Sequence, residues 1–273
     1  MTTAVDPVAA GRVTRPRLPI SDVRWSTIAA PLVLGVLVIL AWEVLVDQAE
    51  IEPFILPAPS AIWEQVTVNT ENIVDGATVT GRNALIGMLA GALLGVVGAA
   101  VAGAFRIVDQ MAAPVVAALA VIPIVALAPV LYSMFGAAVN TGRIIVAGIS
   151  VAIPVYLNTL RGIRQVKAVH RDLMTAYAAR PFQVIRAVTL PTATPYVFTG
   201  LRVASSLAVI AALIAEYFGG PIGGLGKSIT SSAASSNYPL AWAYVLGSIV
   251  LGLLFYVVTL LVELWFSRHH KPA

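Results

Sequence analysis

Apolar residues fall along this chain in six long blocks, and the polar residues between them are gathered into tails and loops. The blocks lie at 27–46, 84–105, 112–139, 144–160, 197–218 and 240–266. Most approach or exceed the ~20 residues that carry a helix across a hydrocarbon core. They predict an all-α, polytopic membrane protein with six transmembrane helices, because an unclosed chain can satisfy its backbone in lipid only as helix. Residues 1–26, rich in Pro and Arg, predict a disordered cytoplasmic tail, and 267–273 a second tail. The first tail does not read as a cleavable signal, since the apolar block after it is long and has no small-residue cleavage site behind it.

The long basic interruption 161–191 reads RGIRQVKAVHRDLMTAYAARPFQVIRAVTLP. Arg161, Arg164, Lys167, Arg171, Arg180 and Arg186 would each cost at least ~2.5 kcal/mol in hydrocarbon, so this loop stands in water. Arg171 to Ala179 predicts a short helix with Leu173, Met174 and Tyr177 on one face, and Pro181 ends it. An apolar stripe on the wet side docks in a groove of a partner or packs on this chain's own helices, and the pattern alone does not choose between the two.

Basic residues orient the whole. With the amino terminus inside, Arg12, Arg15, Arg17, Arg24, Arg106, Arg161, Arg164, Lys167, Arg171, Arg180, Arg186, Arg202, Arg268 and Lys271 face the cytoplasm, against Arg82, Arg143 and Lys227 outside. Fourteen against three obeys the positive-inside rule and puts both termini in the cytoplasm. The stretch from Asp47 to Asp75, with six acids and no Lys or Arg, is then outside. In it, Phe54 to Ser60 predicts an extended piece entering an amphipathic helix capped by Ser60.

Composition agrees. The chain is 59% hydrophobic and 11% charged, with mean hydropathy +0.89, where a soluble domain carries about 25% charge. The net charge of +4 sits in loops beside apolar blocks, which excludes a nucleic-acid-binding face. No Cys is present, so there is no disulfide framework or thiol chemistry. Gly87, Gly91 and Gly95 fall four apart and predict a close helix contact, within the subunit or at a dimer seam. Pro114, Pro123 and Pro129 interrupt the third block, as in helices that line protein or a water cavity.

No chemistry of catalysis assembles. Gly223 to Ser228 ends like a phosphate-binding loop, but its first glycine would be residue 221, which is Pro, and no strand precedes it. It reads instead as a mobile outer loop that gates a path or meets a delivery protein. His170, His269 and His270 form no metal set, so neither a catalytic nor a metal site is expected. Glu43, Arg202, Glu216 and Glu263 lie near block ends, where reaching the interface is the default. Glu216, with Tyr217 beside it, is the candidate for an outer gate or a polar solute contact.

Val188-Thr189-Leu190-Pro191, with Ala178 ten residues before Val188 and Asp172 six before that, resembles the signature loop of permease subunits of ATP-binding-cassette importers. That loop is Glu-Ala-Ala, three residues, Gly, nine residues, Ile-x-Leu-Pro. Here Asp172 stands for Glu, Leu173 and Met174 for the two Ala, Ala178 for Gly and Val188 for Ile, while Leu190 and Pro191 agree. The run Phe54 to Trp63 is similar to the segment after the first helix in permeases of the nitrate, sulfonate and taurine group, and Ile122 to Pro129 to the family's third core helix.

The resemblance implies a type I importer-like permease without enzymatic activity. ATP and Mg would sit on a partner and none on this chain. Its partners would be a second permease subunit in a homo- or heterodimer, two ATP-binding-cassette ATPases and an extracytoplasmic binding protein. It assigns ATPase coupling to Asp172, Leu173, Met174, Tyr177, Ala178, Leu190 and Pro191, and a path or gate to Pro123, Pro129, Glu216 and Tyr217. The solute would be nitrate-, sulfonate- or taurine-like, or a pyrimidine-like heteroaromatic, with a lean to the latter. Two other readings stand beside it: an ion-coupled secondary carrier with Glu216 as its proton site, and a membrane scaffold that transports nothing.

Overall fold

The computed structural model describes residues 25–218, 220 and 223–269. The tail 1–26 therefore lies outside it apart from Trp25 and Ser26, and so do 270–273. The helices are α1 (Trp25–Gln48), α2 (Pro59–Val68), α3 (Thr70–Ala104), α4 (Arg106–Val121), α5 (Ile124–Phe135), α6 (Thr141–Arg164), α7 (Ala168–Ala176), α8 (Pro181–Val184), α9 (Leu190–Tyr217), α10 (Leu225–Ala234) and α11 (Tyr238–His269). A π-helical turn, Ile185–Thr189, joins α8 to α9. Among the described residues five helices are long and apolar enough to cross a membrane, and the bent pair α4–α5 makes a sixth crossing if it counts as one.

At the centre, α3 runs parallel to α6, and α9 runs antiparallel to both. A Cβ at Gly87 would sit 2.6 Å from that of Ala147, one at Gly91 2.2 Å from the Gly148 carbonyl oxygen, and one at Gly95 2.7 Å from that of Ala152. The glycine row is thus an intrasubunit groove, and its missing side chains let two backbones touch where lipid gives no hydrophobic drive. Gly162 and Gly200 do the same for α6 against α9. α10 and α11 pack around this core, and α1 stands at the edge against α2.

Several boundaries differ from the apolar blocks. α3 begins at Thr70 rather than 84, because its polar first turns bury Thr80 and Asn83 inside the bundle. The third block is two helices meeting at 96°. Pro123 has no N–H to continue α4 and holds Ile122 extended, at ψ 123°. α6 spans Thr141–Arg164 and includes Arg143, and the helix of the fifth block starts at Pro181, inside the polar loop. α11 continues through residues 267–269, where a tail was expected.

Ser60 is not the cap of α2: Pro59 opens the helix, and the cap comes from α1. The Ser60 N–H and hydroxyl donate to the Glu43 carboxylate at 3.0 and 2.6 Å, so Glu43 holds a helix N-terminus instead of reaching for water. Glu263 is likewise engaged, by Arg202 at 3.2 Å across α9 and α11, and the Thr259 hydroxyl donates to Ser205 beside that pair. Arg164 pairs with Asp109 where α6 ends near the start of α4.

Candidate functional site

Two places concentrate polar chemistry, one at each end of the bundle. At the end that carries α10, Glu216 is fully buried, and so are Thr80, Arg143 and, to 1%, Asn83. Glu216 Oε2 accepts from the Thr80 hydroxyl and from the Gly226 N–H, each at 2.9 Å. The same hydroxyl accepts from the Leu225 N–H at 2.9 Å. A carboxylate and a hydroxyl therefore take the first two free donors of α10, which is capping by tertiary contact.

Arg143 approaches from α6, with Nε 3.4 Å from the Tyr132 hydroxyl and Nη1 3.3 Å from Asn140 Oδ1. Its charge acts on Glu216. Tyr132 in turn donates to the Ala215 carbonyl at 2.7 Å. Five elements, α3, α5, α6, α9 and α10, are tied through these groups.

Glu216 therefore does not reach outward, the Arg143 side chain turns into the bundle at that end, and Gly224 to Gly226 is no mobile loop. A Cβ at Gly224 would lie 2.5 Å from the Glu216 carboxyl, and Leu225 is wholly buried. The glycines are there so that the backbone can close on the acid.

At the other end, α7 stands nearly clear of the bundle. Leu173 is 50% exposed and Tyr177 75%, while Met174 is half-buried and Asp172 lies in water. Val169, at 69%, and Phe182, at 71%, extend the apolar face in both directions. Val169 lies one helical repeat before Leu173 and was legible as i−4 to it.

The helix stops abruptly. The Ala179 N–H returns to the Met174 carbonyl at 3.0 Å and the Ala178 N–H to that of Thr175 at 2.9 Å, with Ala178 at φ 50°. This is a Schellman turn with alanine in the glycine position. A left-handed alanine costs ~1–2 kcal/mol, and glycine returns ~0.4–1 kcal/mol of that through the unfolded chain. Ala178→Gly is expected to firm the end of α7 by roughly 0.5–1 kcal/mol, read as slower amide exchange at residues 177–179.

The family model described as "Binding-protein-dependent transport system inner membrane component" matches residues 87–269, two-thirds of the chain. The chain belongs to that family. The permease is 27% identical to a probable ABC transporter permease protein of Haemophilus influenzae, over 82% of this chain and 91% of the relative. It is also 27% identical to a riboflavin transport system permease protein of Chloroflexus aurantiacus, over 88% and 89%. A solved structure described as an amino acid ABC transporter with histidines shares the fold, with TM-score 0.58 at 15% identity over 75% of this chain and 96% of that one.

In this permease the four residues expected on a path or gate do not converge. Pro123 at the bend and Pro129 on α5 lie exposed, Glu216 turns into the buried cluster, and Tyr217, 42% exposed, turns the opposite way. What lies beside the α4–α5 bend is a recess of about 240 Å³ lined by Ile122, Ile124, Ser150, Pro154 and neighbours. Leu190, 55% exposed, and Pro191 open α9 directly after the π turn. Among the described residues no set of His, Cys, Asp or Glu is placed to hold a metal.

Proposed function

We propose that this permease is the path-forming subunit of an ATP-driven importer. Its α7–α8 corner faces the cytoplasm and docks on a separate ATPase, as the asymmetry of Lys and Arg supports. The observation that carries this is the uncovered row Val169, Leu173, Tyr177 and Phe182 running from α7 through its terminal turn into α8, with α7 standing off its own bundle and ending in a fixed turn. A rod with an apolar face and a hard stop transmits displacement without slipping. ATP biases the transporter only as far as it binds the two states differently. A second permease subunit, a second ATPase and an external binding protein complete the assembly.

For the solute we take a neutral heteroaromatic of riboflavin or pyrimidine kind over a small anion. The recess at the bend is lined by apolar side chains and one hydroxyl, with no Lys, Arg or His, whereas an anion in low dielectric needs a cation. Relatives named for riboflavin and formylaminopyrimidine transport support this, and others are named for nitrate and aliphatic sulfonates. A gradient-driven carrier using Glu216 would need water at a carboxylate that is fully buried.

Tyr177→Asp is expected to weaken ATPase co-purification roughly thirtyfold, the loss of one ~2 kcal/mol anchor. Asp172→Lys is expected to do so through reversed charge, and both should abolish uptake with membrane insertion unchanged. Full uptake and full ATPase retention in both variants would remove α7 from the coupling role.

A further inference from the structure

Where the coupling segment rejoins the bundle, a recess of about 390 Å³ opens between α3, α6 and α9. Val96 and Ala100 of α3 and Val197 of α9 give it apolar walls, Thr159 of α6 lies deepest, and the exposed Arg171 of α7 stands at its mouth. Thr159 is 3% exposed and its hydroxyl meets no hydrogen-bond partner among the described residues. That is unusual in this bundle: the hydroxyls of Ser150, Thr194 and Thr199 each donate to the carbonyl four residues back. A buried donor left open calls for an acceptor from elsewhere. Thr189, the last residue of the π turn, also lines the recess, and such turns gather at functional sites.

We propose that this recess binds an anionic phospholipid of the cytoplasmic leaflet. Its phosphate pairs with Arg171, its glycerol ester carbonyl accepts from the Thr159 hydroxyl, and one acyl chain lies along Val96, Ala100 and Val197. Arg171, the one base lining the recess, selects the headgroup by its charge, and basic pockets between spans on the cytoplasmic side are where anionic headgroups bind. The apolar walls favour a lipid over a soluble anion, and the volume lies within the ~300–1,000 Å³ of small-molecule sites. A lipid so placed bridges α7 to α3 and α6 and sets the rest position of the coupling helix. The leaflet rests on the orientation given above; the site itself does not.

The test uses the full chain in symmetric vesicles, so that either orientation meets the same lipid. Because the chain has no Cys, Ala104→Cys at the rim can carry a single bimane. Brominated phosphatidylglycerol in phosphatidylcholine vesicles is expected to quench it with about fivefold higher apparent affinity than brominated phosphatidylcholine, as one basic residue provides. Arg171→Gln should remove the preference, Arg171→Lys should keep it, and Thr159→Val should weaken phosphatidylglycerol binding several-fold. Equal quenching by both lipids, or a preference that survives Arg171→Gln, would overturn the proposal. Reversal of the quenching by inorganic phosphate would also overturn it, by assigning the recess to a soluble anion. ATPase docking takes no part in the measurement, so either idea can fail alone.

Discussion

Glu216→Ala is expected to cost the permease about 3–5 kcal/mol, the scale of breaking a buried charged cluster from one side. The carboxylate is the shared acceptor of the Thr80 hydroxyl and the Gly226 N–H. Truncation leaves both donors buried without a partner and leaves the wholly buried Arg143 without the acid that balances it. It also opens a void against Gly224, which approaches closely only because the acid fills that space. Glu216→Gln separates these effects: it keeps one carbonyl oxygen for both donors and removes the charge. The expected order of thermal stability in detergent is Glu, then Gln, then Ala, with α10 the first segment to become open to protease. Alanine melting with the wild type would mean that the cluster contributes nothing to holding α10.

This cluster is also where the sequence was least legible. Glu216 stands out as an acid at a block end, and Arg143 as a base just outside one. Their partners lie far away in the chain, Thr80 being 136 residues from Glu216 and 145 from Leu225. Periodicity carries no information at that range, so an interface-reaching Glu216 and an outer-side Arg143 were the natural readings of each residue alone. The glycines of 223–226 looked like freedom, whereas Gly224 and Gly226 serve close approach to Glu216. Glu43 failed for the same reason, since its partner Ser60 belongs to another helix.

By contrast, features set within one or two turns were open to reading. The α7 stripe follows from spacing. The helix itself sits three residues earlier than Arg171–Ala179, because the left-handed Ala178 stops it there. The break at Ile122–Pro123 was legible as an interruption, but its 96° was not. A proline removes a bond and a clash-free path; the direction taken afterwards is decided by what α5 packs against.

Gly91→Val is expected to be the most damaging substitution in the membrane core. A Cβ there would lie 2.2 Å from the Gly148 carbonyl oxygen, 2.9 Å from Val151 Cβ and 3.0 Å from the Gly148 carbonyl carbon. Two of these are backbone atoms of a helix locked on its far side by α9, so neither partner can give by rotating a side chain. Overpacking ordinarily costs ~1–3 kcal/mol; with no flexible neighbour the upper end of that range or beyond is expected. The alternative, α3 moving away from α6, loses the van der Waals contact that holds helices together in lipid. Gly35→Val in α1, where a Cβ meets nothing within 4 Å, is the matched control and should leave melting unchanged. Gly98→Ala, 3.4 Å from the flexible Tyr156 ring, should fall near that control. If Gly91→Val purifies as a monodisperse species melting with Gly35→Val, the α3–α6 contact cannot be as close as described, and the central three-helix core built on it would have to be redrawn.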